Sequence, residues 1–168
     1  MGTAGNLLTG PVQLFRGAAE AAEAAIVTEV GYTEDGLQFA YNDTIVNLEV
    51  DEETWPVGAV RTGVEMVITF QMAEATLQNL MAAYGLPASA YDGVTKTLTI
   101  NPTSTVEYAS LKAIGAGPGG TTRTYLFPKV APRGGRTSAI RKGQKVLVPV
   151  EMQVYKPAAG APATFKDA

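Results

Sequence analysis

The stretch VRTGVEMVITFQ, residues 60–71, decides the fold. β-Branched and aromatic residues dominate it, and they alternate. Val64, Met66, Ile68 and Phe70 share one face, while Glu65, Thr69 and Gln71 lie on the other with Val67. A period of two over this length marks a half-buried β-strand, with one face toward a core and one toward polar surroundings. Upstream, LQFAY at residues 37–41 repeats the pattern, with Leu37, Phe39 and Tyr41 on one side. Before it, Glu34-Asp35-Gly36 reads as a hairpin turn, because Gly accepts the positive φ such turns need. Asn42-Asp43 reads as another turn, after which residues 44–50 resume a strand pattern. DEETWP at residues 51–56 breaks that pattern: three adjacent carboxylates repel, and Pro56 forces Trp55 into extended geometry. A long loop is therefore expected over about residues 42–60.

Further strands are expected at residues 12–15, closed by Arg16-Gly17, and at 26–32, 95–100, 106–114, 122–130 and 144–155. Pro128 inside the fifth of these implies an edge or a bulge. In the last, Val146, Val148, Val150, Met152 and Val154 share a face. The Ala/Glu run at 18–25 reads as a connection with helical propensity. One segment has a helical period: Leu77, Leu80, Met81 and Tyr84 fall at i, i+3, i+4 and i+7, and Gly85 and Pro87 stop the run. The spacing predicts a helix over about residues 74–84, with Glu74 near its positive end. The expected fold is mainly β, a sandwich or barrel with one flanking helix. Residues 1–156 read as a single domain and 157–168 as a loose Ala/Pro-rich tail.

Composition narrows the chemistry. The 168 residues include no Cys and no His, which removes thiolate and imidazole metal sites, Cys nucleophiles and His-based triads. A non-enzymatic role without metal or cofactor is expected. The net charge of -3 is unevenly spread: residues 1–84 carry 12 acidic and 2 basic side chains, a net -10, and residues 85–168 carry 4 and 11, a net +7. Such a chain can neutralise itself within one fold or complement copies of itself. No stretch approaches the ~20 apolar residues of a membrane helix, so no membrane insertion is expected. The opening MGTAGNLLTGP lacks the pattern of a secretory signal.

Four constellations are candidates for function. GAGPGGTT at residues 115–122 has Gly120 where a P-loop needs its Lys, and no helical pattern follows, so it reads as a plain connection. The acidic run Glu49, Asp51, Glu52 and Glu53 lacks the alternating ligands and turn Gly of a calcium loop, and reads as a solvated loop or a charged contact loop. Trp55 beside Pro56 in this polar loop is either an interface anchor or a ring folded back on its own core. Arg123, Lys129, Arg133, Arg136, Arg141, Lys142 and Lys145 form a basic segment free of acidic residues, with Tyr125 and Phe127 interleaved. Aromatics among cations are the mark of single-strand nucleic-acid binding. The same alternation also suits a strand's core face, and the acidic half offers a neighbouring copy as the partner.

Residues 30–85 resemble the tail tube (major tail) proteins of long-tailed bacteriophages. The resemblance rests on ordered pieces: Gly31-Tyr32-Thr33-Glu34-Asp35-Gly36, then Val50-Asp51-Glu52 followed by Pro56-Val57, then Arg61-Thr62-Gly63 leading into the long strand, then Ala73-Glu74-Ala75-Thr76-Leu77-Gln78-Asn79-Leu80. It implies a structural virion protein, assembled in the host cytoplasm, whose copies form six-membered rings stacked into a tube. The inner sheets of the ring merge around a lumen that conducts double-stranded DNA to the host without binding it tightly. The implied partners are further copies of the chain and the tail terminator, tape measure and distal tail proteins. The acidic loop with Trp55 and Pro56 is then expected to reach a neighbouring subunit or ring and meet the basic segment. The polar strand faces are expected to line the lumen, through Gln38, Glu65, Thr69 and Gln71, with Glu151 and Gln153 beside them. The rival expectations are a tube protein of a related contractile or secretion apparatus and a nucleic-acid-binding β-barrel using residues 123–145.

Overall fold

The computed structural model describes residues 10–101, 105–135, 137, 138, 140 and 142–168. Its elements, in chain order, are β1 (Gln13–Ala18), β2 (Thr28–Glu29), β3 (Thr33–Leu48), β4 (Gly58–Met72), α1 (Leu77–Tyr84), β5 (Tyr91–Asp92), β6 (Thr97–Leu98), β7 (Ala109–Ala116), β8 (Thr122–Pro132), β9 (Val148–Val154) and β10 (Thr164–Asp167). The fold is mainly β with one flanking helix, as expected. Eight strands form one antiparallel sheet in the order β2-β1-β7-β8-β9-β4-β3, with β10 also paired to β8. β5 and β6 make a separate small hairpin.

β8 is where the sheet turns over. On one side it pairs with β7 along most of its length. On the other, β10 takes residues 123–126 and β9 takes residues 130–132. Between these partners the β7 register slips, leaving Pro128 and Lys129 opposite Ser110. Pro128 has no N–H to donate; of the edge or bulge expected there, the register shift gives the bulge, where that costs least. The consequence is visible in Phe39 of β3, whose ring centroid lies 5.8 Å from that of Tyr125 on β8. Three strand spacings within a flat sheet would separate those strands by ~14 Å. The two halves therefore face each other, and their inner faces merge into one core. Leu14, Leu111, Ala113 and Phe127 come from one half, and Ile68, Phe70, Val150 and Met152 from the other. Each large side chain buried this completely contributes on the order of 1.5–3 kcal/mol.

The alternation read from the sequence holds in the sheet body. Leu37 pairs with Phe70 and Phe70 with Val150; Phe39 pairs with Ile68 and Ile68 with Met152. Val64 continues that row but is 56% exposed, because it lies beyond the body of the sheet.

Several local expectations are corrected. Asp35-Gly36 is a two-residue bulge within β3, not a hairpin turn: Glu34 pairs with Gln71 and Leu37 with Phe70, while Asp35 and Gly36 hold φ of 61° and 69° between them. Asn42-Asp43 is not a turn. Both residues are paired with β4, and Arg61 Nε donates to Asp43 Oδ2 at 2.9 Å. Continuous pairing overrides local turn propensity here, so the loop expected over about 42–60 shrinks to residues 49–57. Residues 18–25 hold only a 3-10 turn, Glu23–Ala25, and the strand expected at 26–32 is only Thr28–Glu29. β1 runs on through Arg16-Gly17. The segment expected as a loose tail ends in β10, and Phe165 packs against Phe39, Tyr125 and Phe127.

α1 starts three residues later than its pattern suggests. Thr76 caps it, its Oγ1 accepting from the Asn79 N–H, and Gly85 ends it in the left-handed region. A Cβ at Gly85 would come within 2.9 Å of Val106 Cγ1, so both conformation and space call for glycine. Glu74 lies outside the helix, where its carboxylate accepts from the Tyr32 N–H at 3.2 Å. The buried residues are Asn79 and Ala83; of the expected stripe, Leu80, Met81 and Tyr84 are half-buried, Leu80 against the core, and Leu77 is exposed.

Candidate functional site: a polar sheet face and a projecting ribbon

The outward face of β3, β4 and β9 gathers all six residues expected at a lumen. Gln38, Thr69 and Glu151 form one row across the three strands, and Gln153 lies opposite Val67. Gln71 pairs with Glu34 and Glu65 with Asn42, on the same side by alternation. Arg133 also sits on this face. Its N–H donates to the Glu151 carbonyl at 2.8 Å. Its guanidinium bonds the Glu65 carboxylate, donates to Gln153 Oε1 at 2.8 Å and lies 3.5 Å from Glu151 Oε1. Nearby, Lys145 Nζ stands 2.5 Å from Glu34 Oε2, and Gln71 Nε2 donates to Asp35 Oδ2 at 3.3 Å. The result is a hydrogen-bonded polar surface on which two cations meet three carboxylates and an amide holds a fourth.

This geometry also accounts for the basic segment, which is not one free positive face. Besides Arg133 and Lys145, Arg123 grips Asp167 through two bonds of 2.6 and 2.7 Å. That grip raises the Arg123 pKa and holds the Asp167 carboxyl below its ordinary value. Lys129 lies 3.0 Å from Glu20 Oε1 and 4.8 Å from the centre of the Tyr108 ring. Glu20, which also accepts from the Ala158 N–H, is held below the usual carboxylate range by those two hydrogen bonds. Lys142 is exposed, and Arg136 and Arg141 lie outside the described residues. The ion pairs Glu20–Lys129, Glu23–Lys166, Glu34–Lys145 and Glu65–Arg133 all join the acidic half of the chain to the basic half. Tyr125 and Phe127 belong to the aromatic cluster around Phe165, not to a stacking surface among the cations. Sequence reasoning placed Arg133 with the cations; only the fold brings it to the polar face.

The acidic run has the opposite fate. Glu49, Asp51, Glu52 and Glu53 sit at the tip of the β3–β4 hairpin, exposed, and make no ion pair with any described residue. Trp55 is 81% exposed at the same tip, so it does not fold back on its own core. The tip is carried away from the body. β9 pairs with β4 only at residues 67–72, so residues 58–66 of β4 and 41–48 of β3 continue as a two-stranded ribbon. At ~3.4 Å per residue the ribbon projects ~27 Å. Ile45, Val46, Leu48 and Val60 lie exposed along it, Ile45 at 55%. β3 also ends the sheet order, so its outer backbone edge has no partner strand among the described residues.

The glycine-rich connection between β7 and β8 forms a 3-10 turn at Pro118–Gly120. Among the described residues, no helix is long and apolar enough to cross a membrane. Compared with known proteins, the chain matches no family model and no curated relative.

Proposed function

We propose that this chain is the structural subunit of a bacteriophage tail tube, whose copies join into six-membered rings that stack into a conduit for DNA. The ribbon of residues 41–66 carries this reading. An isolated two-stranded hairpin is marginal in water, and this one bears apolar side chains along its length and a backbone edge without a partner strand among the described residues. A surface of that kind is built to be covered, and a repeated copy of the same chain is the simplest cover. In the ring, the sheet edges pair between neighbours. The face of Gln38, Glu65, Thr69, Gln71, Glu151 and Gln153 turns to the lumen. Tail terminator, tape measure and distal tail proteins meet the tube's ends and interior, and the tube belongs to the virion.

A polar, carboxylate-bearing bore suits passage of DNA. The duplex carries one charge per ~1.7 Å, and a strongly basic wall would hold it through many phosphate contacts. The internal pairing of Arg123, Lys129, Arg133 and Lys145 weighs against a nucleic-acid-binding barrel. Electron microscopy of the purified protein tests the proposal. Rings or hollow tubes are the expected result; particles that remain single subunits across salt, pH and concentration would overturn it.

A further inference from the structure

A cleft of about 760 Å³ opens between β1, β2, the start of β3 and the beginning of α1, with Arg16, Glu29, Tyr32, Glu74, Thr76 and Gln78 on its walls. Arg16 is its unusual member. The side chain is half-buried, and its Nε is sealed from solvent with no hydrogen-bond partner among the described residues. Burial pulls its pKa below the ordinary arginine value. All 16 carboxylate side chains of the protein lie among the described residues, yet Arg16 pairs with none of them. Of the two acids on the cleft walls, Glu74 is engaged by the Tyr32 N–H and Glu29 is exposed to solvent. A partly desolvated cation without a counter-ion calls for one from outside the chain.

The same protein carries an anionic element without a counter-ion among the described residues, the hairpin tip with Glu49, Asp51, Glu52, Glu53 and the exposed Trp55. Tip and cleft occupy opposite ends of the same two strands. The cleft is lined by the first residues of β3 and those just after β4, and the tip joins the end of β3 to the start of β4. Sixteen residues of β3 at ~3.4 Å each put ~50 Å between them, so the tip cannot turn back into its own cleft. We propose that the Arg16 cleft is the receptor for the acidic hairpin tip of a second copy of this chain, with the guanidinium meeting a tip carboxylate and Trp55 entering beside it. The contact is head-to-tail, so each copy offers one tip and one cleft, and the contact propagates. The proposal rests on the self-assembly reading above and adds where one copy grips the next.

Two measurements test it. The chain has no Cys, so Glu52→Cys with Gln78→Cys gives a clean thiol pair. Under assembly conditions a short bismaleimide is expected to yield covalent dimers and longer ladders. Glu52→Cys with Val94→Cys, at an exposed position outside the cleft lining, is expected to yield none. Separately, Arg16→Glu and the triple variant Asp51→Lys, Glu52→Lys, Glu53→Lys are each expected to raise the concentration needed for assembly by about tenfold or more. Mixing the two reversed variants restores assembly, because each supplies what the other lacks. Circular dichroism checks that each variant is folded; if Arg16→Glu is not, the cross-link alone decides. Tubes of the Glu52→Cys, Gln78→Cys variant that form without the cross-link would overturn the cleft assignment while leaving self-assembly intact. A wild-type protein that never assembles removes both.

Discussion

Asn79 shows how one side chain sets the placement of the helix. Its amide is buried, and Nδ2 donates to the Val30 carbonyl at 2.8 Å and to the Glu74 carbonyl at 3.0 Å. Those bonds join α1 to the β2–β3 connection and to the segment that follows β4, and turn Asn79, not Leu77, toward the core. A polar residue on a buried helix face is invisible to a reading by hydrophobic period, which is why the apolar stripe pointed elsewhere. Asn79→Ala leaves two carbonyls without that donor, so a loss of about 1–3 kcal/mol is expected from chemical denaturation, with no change in the sheet signature by circular dichroism.

At the scale of elements, β10 departs most from expectation. An Ala/Pro-rich tail offers little local propensity, yet Phe165 completes an aromatic cluster, and the carboxylates Asp167 and Glu20 hold the segment at its end and near its start. Both carboxyls have folded pKa values below their unfolded ones. They therefore favour the folded state above the unfolded values, near pH 4, and this contribution is lost as pH falls through the lowered folded values. Acidification below about pH 4 is expected to release β10 before the rest of the sheet. Amide exchange corrected for its intrinsic pH dependence reads this directly: residues 164–167 lose protection first, while β4 and β9 keep theirs. Simultaneous loss across all strands would refute the separate anchoring.

At the scale of the whole molecule, the sheet's two faces divide the labour. One builds the core, and the other gathers Gln38, Glu65, Thr69, Gln71, Glu151 and Gln153 around Arg133. Glu65 is one of the carboxylates holding Arg133. Glu65→Lys removes that counter-ion and places two cations side by side on the proposed bore. Tubes are expected to form, and DNA release from virions carrying the variant is expected to slow, measured by dye uptake on triggered ejection. Release at the wild-type rate would place this face elsewhere than the lumen.

What the sequence determined by itself was the local alternation. Residues 64–70, 37–41 and 148–154 each announced a core face and a polar face, because burial on one side of a strand demands period two within a few residues. The stop of α1 at Gly85 and an edge or bulge at Pro128 were legible for the same reason: each is a property of one residue's backbone. The tertiary structure alone decided which strands are neighbours, that the sheet turns over at β8, that β3 and β4 run on past the end of the β4–β9 pairing, and which carboxylates Arg123, Lys129, Arg133 and Lys145 find. These depend on contacts between segments far apart in the chain. Their register follows from how the whole core closes, and no local pattern records it.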